Sequence, residues 1–104
     1  GEGGVQEAKA SLVKFCATKH EQYEGEKLQG SISEGERRKL SAALVSILQW
    51  LKSCEADPSK PPKATQMYAL MREVEGLEKV AVLKTFQAKV NRVVERGAVR
   101  GAPG

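Results

Sequence analysis

Residue types that build enzyme active sites are scarce in this sequence. Its 104 residues include one histidine, His20, and one aspartate, Asp57, so a serine triad would have to use both. Such a triad also needs a serine in a Gly-x-Ser-x-Gly turn, which the sequence lacks. The glycine-rich start at residues 1–4 has neither the spacing nor the preceding strand of a phosphate-binding loop. We therefore expect a protein without enzymatic activity and without a cofactor.

Cysteine is scarce as well. The two cysteines, Cys16 and Cys54, could form one disulfide at most. Both fall within apolar helical patterns, where buried reduced thiols are typical, and reduced thiols indicate an intracellular protein. Cys16 and His20 lie four residues apart and could share a metal, but zinc requires at least three protein ligands and no second Cys/His pair has a matching spacing. We expect neither a disulfide nor a metal site.

Long apolar runs and aromatic residues are also few. No run approaches the roughly 18–20 apolar residues that span a membrane, so we expect no membrane partner. One tryptophan, two tyrosines and two phenylalanines leave few rings for stacking on nucleic-acid bases. The net charge is +4, from 17 basic and 13 acidic residues spread along the chain. This excess permits acidic partners, and a cationic rim around an apolar groove that attracts an acidic peptide fits the pattern better than nucleic acid, which remains the alternative.

The spacing of the apolar residues predicts an all-α protein. These residues recur every three or four positions in four segments, which predicts helices at about 5–24, 34–54, 62–75 and 78–96. Four helices joined by short connections predict a compact, monomeric four-helix bundle. The length suits one domain over residues 5–96, with flexible termini at 1–4 and 97–104.

Local signals predict where these helices begin and end. Ser33 and Glu36 have the spacing of a capping box, in which the hydroxyl accepts from the third N–H of the helix and the carboxylate reaches back to Ser33. Prolines from Pro58 onward end the second helix, which we expect to be central and to bury Leu48. Gly76 predicts the turn before the fourth helix. That helix is expected to bury six apolar residues: Val80, Leu83, Phe86, Val90, Val93 and Val94.

The segment KATQMYALMREVEGLEKV, residues 63–80, resembles part of a known family. It is similar to the end of the integrase-binding domain of lens epithelium-derived growth factor, a variant of the N-terminal domain of transcription elongation factor S-II. The resemblance extends over about residues 33–95 and includes the layout of four helices with a long second helix. The matching positions in this segment are Thr65, Met67, Met71, Arg72, Val74 and Leu77.

This resemblance implies a nuclear scaffold module that captures short disordered motifs of transcription or chromatin regulators. It implies that Leu77 and Val74 serve as apolar anchors, and Arg72 adds a positive charge on the adjacent turn. Leu28 and Ile32, in the loop before the second helix, are further candidates because exposed aliphatic residues in loops often mark partner sites. In the alternative interpretation, these four aliphatic residues close the ends of the core. A nucleic-acid-binding domain and a purely structural helical domain of a larger protein also remain open.

Overall fold

The computed structural model describes residues 2–25 and 30–99 of the chain. Three helices make up most of this part: α1, Glu2–Glu24; α2, Glu34–Ala56; and α3, Ala64–Val99. No strand occurs among the described residues, so the prediction of an all-α protein is confirmed. The prediction of four helices is wrong, because α3 occupies both the third and the fourth predicted segments. The α1 helix begins at Glu2, earlier than predicted, and α3 continues past the predicted end at residue 96.

Gly76 does not interrupt α3. It lies within the helix, and among the described residues only Gly30 has a positive φ. A glycine inside a helix costs about 1 kcal/mol relative to alanine, which is too little to break a helix whose neighbouring turns hold strong helix formers such as Met71, Arg72 and Leu77. Gly76 is therefore tolerated in the helix, and the predicted turn does not form.

The boundaries of α2 follow the predicted local chemistry, with one difference. Ser33 Oγ accepts a hydrogen bond from the Glu36 N–H at 3.3 Å, which is the first half of a capping box. The second half is missing, because the Ser33 N–H donates to Thr85 Oγ1 at 2.9 Å and the Glu36 carboxylate pairs with Lys39. The N-cap of α2 is therefore tied to α3.

The α2–α3 connection, residues 57–63, begins with a tight turn at Asp57. The Asp57 N–H donates to the Cys54 carbonyl, and Asp57 Oδ1 accepts from both the N–H and the hydroxyl of Ser59. These two hydrogen bonds lower the pKa of the Asp57 carboxyl. The prolines after Asp57 thus end α2 as predicted, although at Ala56 and not at residue 54, and allow α3 to fold back along it.

The helices pack side by side, with α2 antiparallel to the other two. Lys9, early in α1, pairs with Glu55, late in α2, while Tyr23 at the end of α1 lies beside Glu78 of α3. The face of α3 that packs on α1 and α2 is spaced alternately by four and three residues, as in a coiled coil. We call this face the inner seam; it consists of Met67, Met71, Val74, Glu78, Ala81 and Thr85.

Two predictions about the core are wrong. Leu48 is 39% exposed, because it lies off the α2 stripe of Leu40, Leu44, Ile47 and Leu51 that is buried. The predicted inner face of the fourth helix is mostly exposed and points away from the core. At about 100° per residue, Leu83 lies half a turn around α3 from the buried Val74.

The molecule is elongated and not the compact bundle that we expected. Its principal extents are 67 × 25 × 19 Å and its radius of gyration is 18.9 Å, against about 13 Å for a typical domain of 100 residues. The cause is α3, whose 36 residues are about 54 Å long, while the 23 residues of α1 span about 35 Å. Among the helices that the structure describes, none has an apolar stretch that could span a membrane.

Candidate functional site

An apolar cleft of about 410 Å³ lies between α2 and α3. Val74 and Ile47 form its buried floor; the partly buried Trp50 and Leu70 and the exposed Leu77 form its walls. The cleft exists because two α2 residues that face it, Ala43 and Ser46, have side chains too short to fill the space between the helices. The remaining lining residue is Glu73.

Trp50 connects this cleft with the space around the α2–α3 turn. It also lines a second cavity of about 560 Å³, which is bordered by Lys60 and Lys63. A smaller cavity lined by Trp50, Gln66, Leu70 and other residues lies between the two. Together these spaces form one groove along α2 and α3, which we call the Trp50 groove: it is apolar around Leu77 and carries two lysines at the turn.

The two lysines of the Trp50 groove are exposed, and neither forms an ion pair within the described part of the chain. Asp57 also lines this end of the groove; two hydrogen bonds from Ser59 occupy its carboxylate, but its negative charge remains and offsets one of the two lysines. This end of the groove therefore has a positive charge that is available to a carboxylate from another molecule.

Two predicted site residues contribute to the groove in different ways. Leu77 is 42% exposed and lies on its rim, where it can contact another molecule. Val74 is 1% exposed and packs into the core, so it forms the floor of the groove and has little surface of its own. The rim position of Leu77 depends on the helix rather than on a turn, since α3 is continuous there.

The other predicted site residues lie elsewhere. Arg72 is exposed, but five residues at about 100° each place it about 140° around α3 from Leu77, outside the groove lining. Ile32 is buried beside the start of α2, where the neighbouring Ser33 meets Thr85, two helical turns beyond Leu77. Leu28 lies outside the described residues. The structure thus brings Leu77 and Val74 together and does not bring Ile32 or Arg72 to them.

Trp50, Lys60 and Lys63 were not predicted as site residues. One signal for Trp50 is present in the sequence: it falls beside the buried α2 stripe and not on it, and Ala43, one helical turn earlier than Ile47, leaves room on the same side. The two lysines could not be assigned to a site from sequence, because the turn that places them next to Trp50 depends on how α2 and α3 pair.

A further cavity, of about 550 Å³, lies outside the Trp50 groove, where the α1–α2 connection meets α3. Its lining includes Arg37, Lys89 and Arg92, but also Glu24 and Glu34. Arg37 lies 3.5 Å from the Glu24 carboxylate and 3.6 Å from that of Glu34. Since Arg37 is already paired with these carboxylates, this cavity offers a weaker attraction for an anion than its basic residues suggest.

A polar cluster joins α1 to α3 beside this cavity. The Tyr23 hydroxyl donates to Glu78 Oε1 at 2.7 Å, and Lys19 Nζ lies 2.9 Å from the same oxygen. Tyr23 is 1% exposed, and burial together with the Glu78 carboxylate raises the pKa of its hydroxyl well above the usual range. The cluster satisfies the one polar atom of Tyr23, so it holds the two helices together and leaves no reactive group.

The described residues contain no group of side chains suited to a metal ion. Cys16 is buried, which raises the pKa of its thiol, and His20 is exposed. Both cysteines are free thiols.

No family model, no curated protein and no solved structure matches this chain.

Proposed function

We propose that this chain is a protein–protein interaction module, and that its Trp50 groove binds a short motif with apolar and acidic residues. The observation that carries the proposal is the groove itself, which places the partly buried Trp50 and the exposed Leu77 over an apolar floor, with two lysines at one end. The resemblance to integrase-binding domains adds the proposal that the motif belongs to a transcription or chromatin regulator in the nucleus.

Apolar contacts in the groove provide most of the binding free energy in this proposal. A leucine- or phenylalanine-sized side chain that displaces water from Trp50, Leu70 and Leu77 contributes about 1.5–3 kcal/mol when fully buried. Tryptophan is enriched among the residues that dominate binding energy at interfaces. The cleft of about 410 Å³ falls within the volume range typical of binding pockets, about 300–1,000 Å³.

Lys60 and Lys63 set the orientation of the bound motif and raise its association rate. Exposed charges change association rates more than affinities, since they attract an oppositely charged partner before contact. A motif bound with its apolar residues near Leu77 would place acidic residues near Lys60 and Lys63 at the turn. The partner is therefore expected to be acidic on one side of its apolar residues.

The basic residues at the start of α2 support a peptide partner over a nucleic acid. Arg37 pairs with Glu24, Arg38 lies 3.1 Å from a Glu34 oxygen, and Lys39 lies 3.4 Å from a Glu36 oxygen. Paired cations have less charge to offer to phosphates, on which the affinity for nucleic acid depends. The basic residues that form no ion pair within the described part of the chain are spread over all three helices and the α2–α3 connection, and do not gather on one stripe as nucleic-acid binding would need.

The fluorescence of Trp50 tests the proposal, because it is the only tryptophan in the chain. Titration with a peptide that carries an apolar cluster followed by aspartates should change its emission in a saturable way. Leu77→Ala should weaken this binding by about 1–3 kcal/mol, as expected for a contact residue at an interface. Val45→Ala is the matched control, since Val45 is an exposed apolar residue of α2 outside the groove.

Two results would contradict the proposal. One is an unchanged Trp50 emission for every peptide of this type, which would mean that the groove does not bind them. The other is equal weakening by Leu77→Ala and Val45→Ala, which would mean that the contact is not made in the groove. A duplex DNA that competes with the peptide only at low salt would point to nonspecific charge attraction.

A further inference from the structure

The C-terminal half of α3 presents a continuous apolar surface opposite the inner seam. We call it the outer stripe; among its members Leu83 is 65% exposed and Phe86 is 63% exposed. Of the others, only Val90 is partly covered. The outer stripe consists of Val80, Leu83, Phe86, Val90, Val93 and Val94.

The outer stripe has the spacing of a coiled-coil seam. Val80, Leu83, Val90 and Val94, with Gln87 between them, follow alternating steps of three and four residues, the repeat that keeps one face of a helix against a partner helix. Gln87 is the one polar residue in this series, and its amide donates to Asn91 at 2.8 Å on the helix surface. A polar residue within an apolar seam is a known device for fixing the register of paired helices.

The composition of this segment also indicates a partner. Five valines lie between positions 80 and 94, and valine is a weak helix former because its branched side chain is restricted against the preceding turn. Helices of such sequences depend on packing, yet within the described residues no member of the outer stripe belongs to the hydrophobic core or packs against it. A partner along the outer stripe would supply the packing that the sequence lacks.

The charges beside the outer stripe identify the kind of partner. Between positions 79 and 97 the chain has five basic residues and one acidic residue, Glu95. Lys79 and Lys84 fall at the positions that flank the coiled-coil series on either side. A second copy of this chain in either orientation would place one basic helix against another, which disfavours self-association.

We infer that the outer stripe pairs with an amphipathic helix of another protein whose apolar seam is flanked by acidic residues. Apolar contact along Val80–Val94 then covers the outer stripe, while the partner's carboxylates lie beside Lys79 and Lys84. This surface is separate from the Trp50 groove, since none of its six residues lines the groove. The module would thus have two contact surfaces, one for a short motif and one for a helix.

A pair of designed peptides tests this inference. Both are amphipathic helices of about three heptads with leucine at the seam positions; one has glutamate and the other lysine at the flanking positions. The glutamate peptide should bind at least about tenfold more tightly than the lysine peptide, because only the former complements Lys79 and Lys84. Binding of the glutamate peptide should slow amide hydrogen exchange in residues 86–97, and its affinity should fall as salt is added.

Variants of this chain show whether the contact is made on the outer stripe. Leu83→Ala and Phe86→Ala should each weaken binding of the glutamate peptide by about tenfold, while circular dichroism verifies that the helices persist. The affinity for the glutamate peptide should be unchanged in Val45→Ala and in the groove variant Leu77→Ala. This result separates the inference from the proposed function. A double variant, Lys79→Glu with Lys84→Glu, should reverse the preference and bind the lysine peptide more tightly.

Three results would overturn the inference. Equal binding of the two peptides would mean that the contact has no charge selectivity. A homodimer at micromolar concentration that Leu83→Ala disrupts would mean that a second copy covers the outer stripe. Binding to anionic lipid vesicles through Leu83 and Phe86, without binding to the glutamate peptide, would mean that the surface contacts membranes.

Discussion

At the scale of single residues, burial depends on whether a side chain lies on the helix face that meets another helix. Leu44 and Leu48 belong to the same helix and have the same side chain, but Leu44 is buried and Leu48 is 39% exposed. Spacing places both near one broad apolar face of α2, and only the position of α1 and α3 determines which part of that face is covered. The prediction from spacing that Leu48 is buried is therefore wrong.

The two leucines give a direct stability comparison. Leu44→Ala should lower the free energy of unfolding by about 2–5 kcal/mol, because it leaves a cavity in addition to the lost apolar burial. Leu48→Ala should cost about 1 kcal/mol, since solvent already reaches the side chain. Urea unfolding of both variants measures the difference, and equal losses would mean that Leu48 is part of the core.

Tyr23 shows how a polar atom is accommodated in the core. Its ring is expected there from the spacing of α1, but its partner Glu78 is remote in sequence and could not be predicted. Tyr23→Phe removes the hydrogen bond to the Glu78 carboxylate and should cost about 1–2 kcal/mol in urea unfolding. Tyr68→Phe is the control, because Tyr68 is exposed, and its effect should stay within about 0.5 kcal/mol.

This hydrogen bond should also make stability depend on pH in the alkaline range. Burial and Glu78 raise the pKa of Tyr23 in the folded state, so the unfolded state loses its tyrosine proton first, near pH 10. The stabilisation by Tyr23 is then fully present below about pH 10 and declines as the pH rises further. The stability difference between the wild type and Tyr23→Phe should shrink above that pH, whereas a constant difference would contradict the raised pKa.

At the scale of elements, the helix boundaries that depend on local chemistry were predictable. Ser33 starts α2 through its hydroxyl, and the prolines from Pro58 onward end it, as the sequence indicated; the C-cap at Asp57 was not predicted. The wrong boundary was at Gly76, because glycine permits a turn without requiring one. Glycine is required at a turn only where the backbone needs a positive φ, and the φ of Gly76 is not positive.

Gly76→Ala distinguishes a continuous α3 from a turn. The residue is exposed within a helix, and a Cβ added there would have no atom of another part of the protein within 4 Å. Alanine should therefore raise the free energy of unfolding by about 0.5–1 kcal/mol, through higher helix propensity and a less flexible unfolded chain. A loss of stability on thermal or urea unfolding would mean that residue 76 adopts a turn.

At the scale of the whole molecule, the continuity of α3 determines both candidate surfaces. A fourth helix that folded back would have covered the residues of the outer stripe, as the sequence-based prediction assumed. With α3 continuous, one of its faces forms the inner seam, one edge completes the Trp50 groove and the opposite face stays exposed. The apolar spacing of residues 80–94 correctly predicts a helix face, but sequence alone does not say whether such a face meets its own chain or another.

Chemical-shift mapping of the Trp50 groove tests the proposed function most directly. A uniformly ¹⁵N-labelled chain is titrated with a peptide that has an apolar cluster beside aspartates. Resonances of four groups should shift and give the same dissociation constant: the Trp50 indole N–H and the backbone amides of Ile47, Leu70 and Leu77. The Leu77→Ala substitution should raise that dissociation constant. Saturable shifts confined to the cavity around Arg37 and Arg92, with the Trp50 indole unchanged, would contradict the assignment of this groove as the binding site.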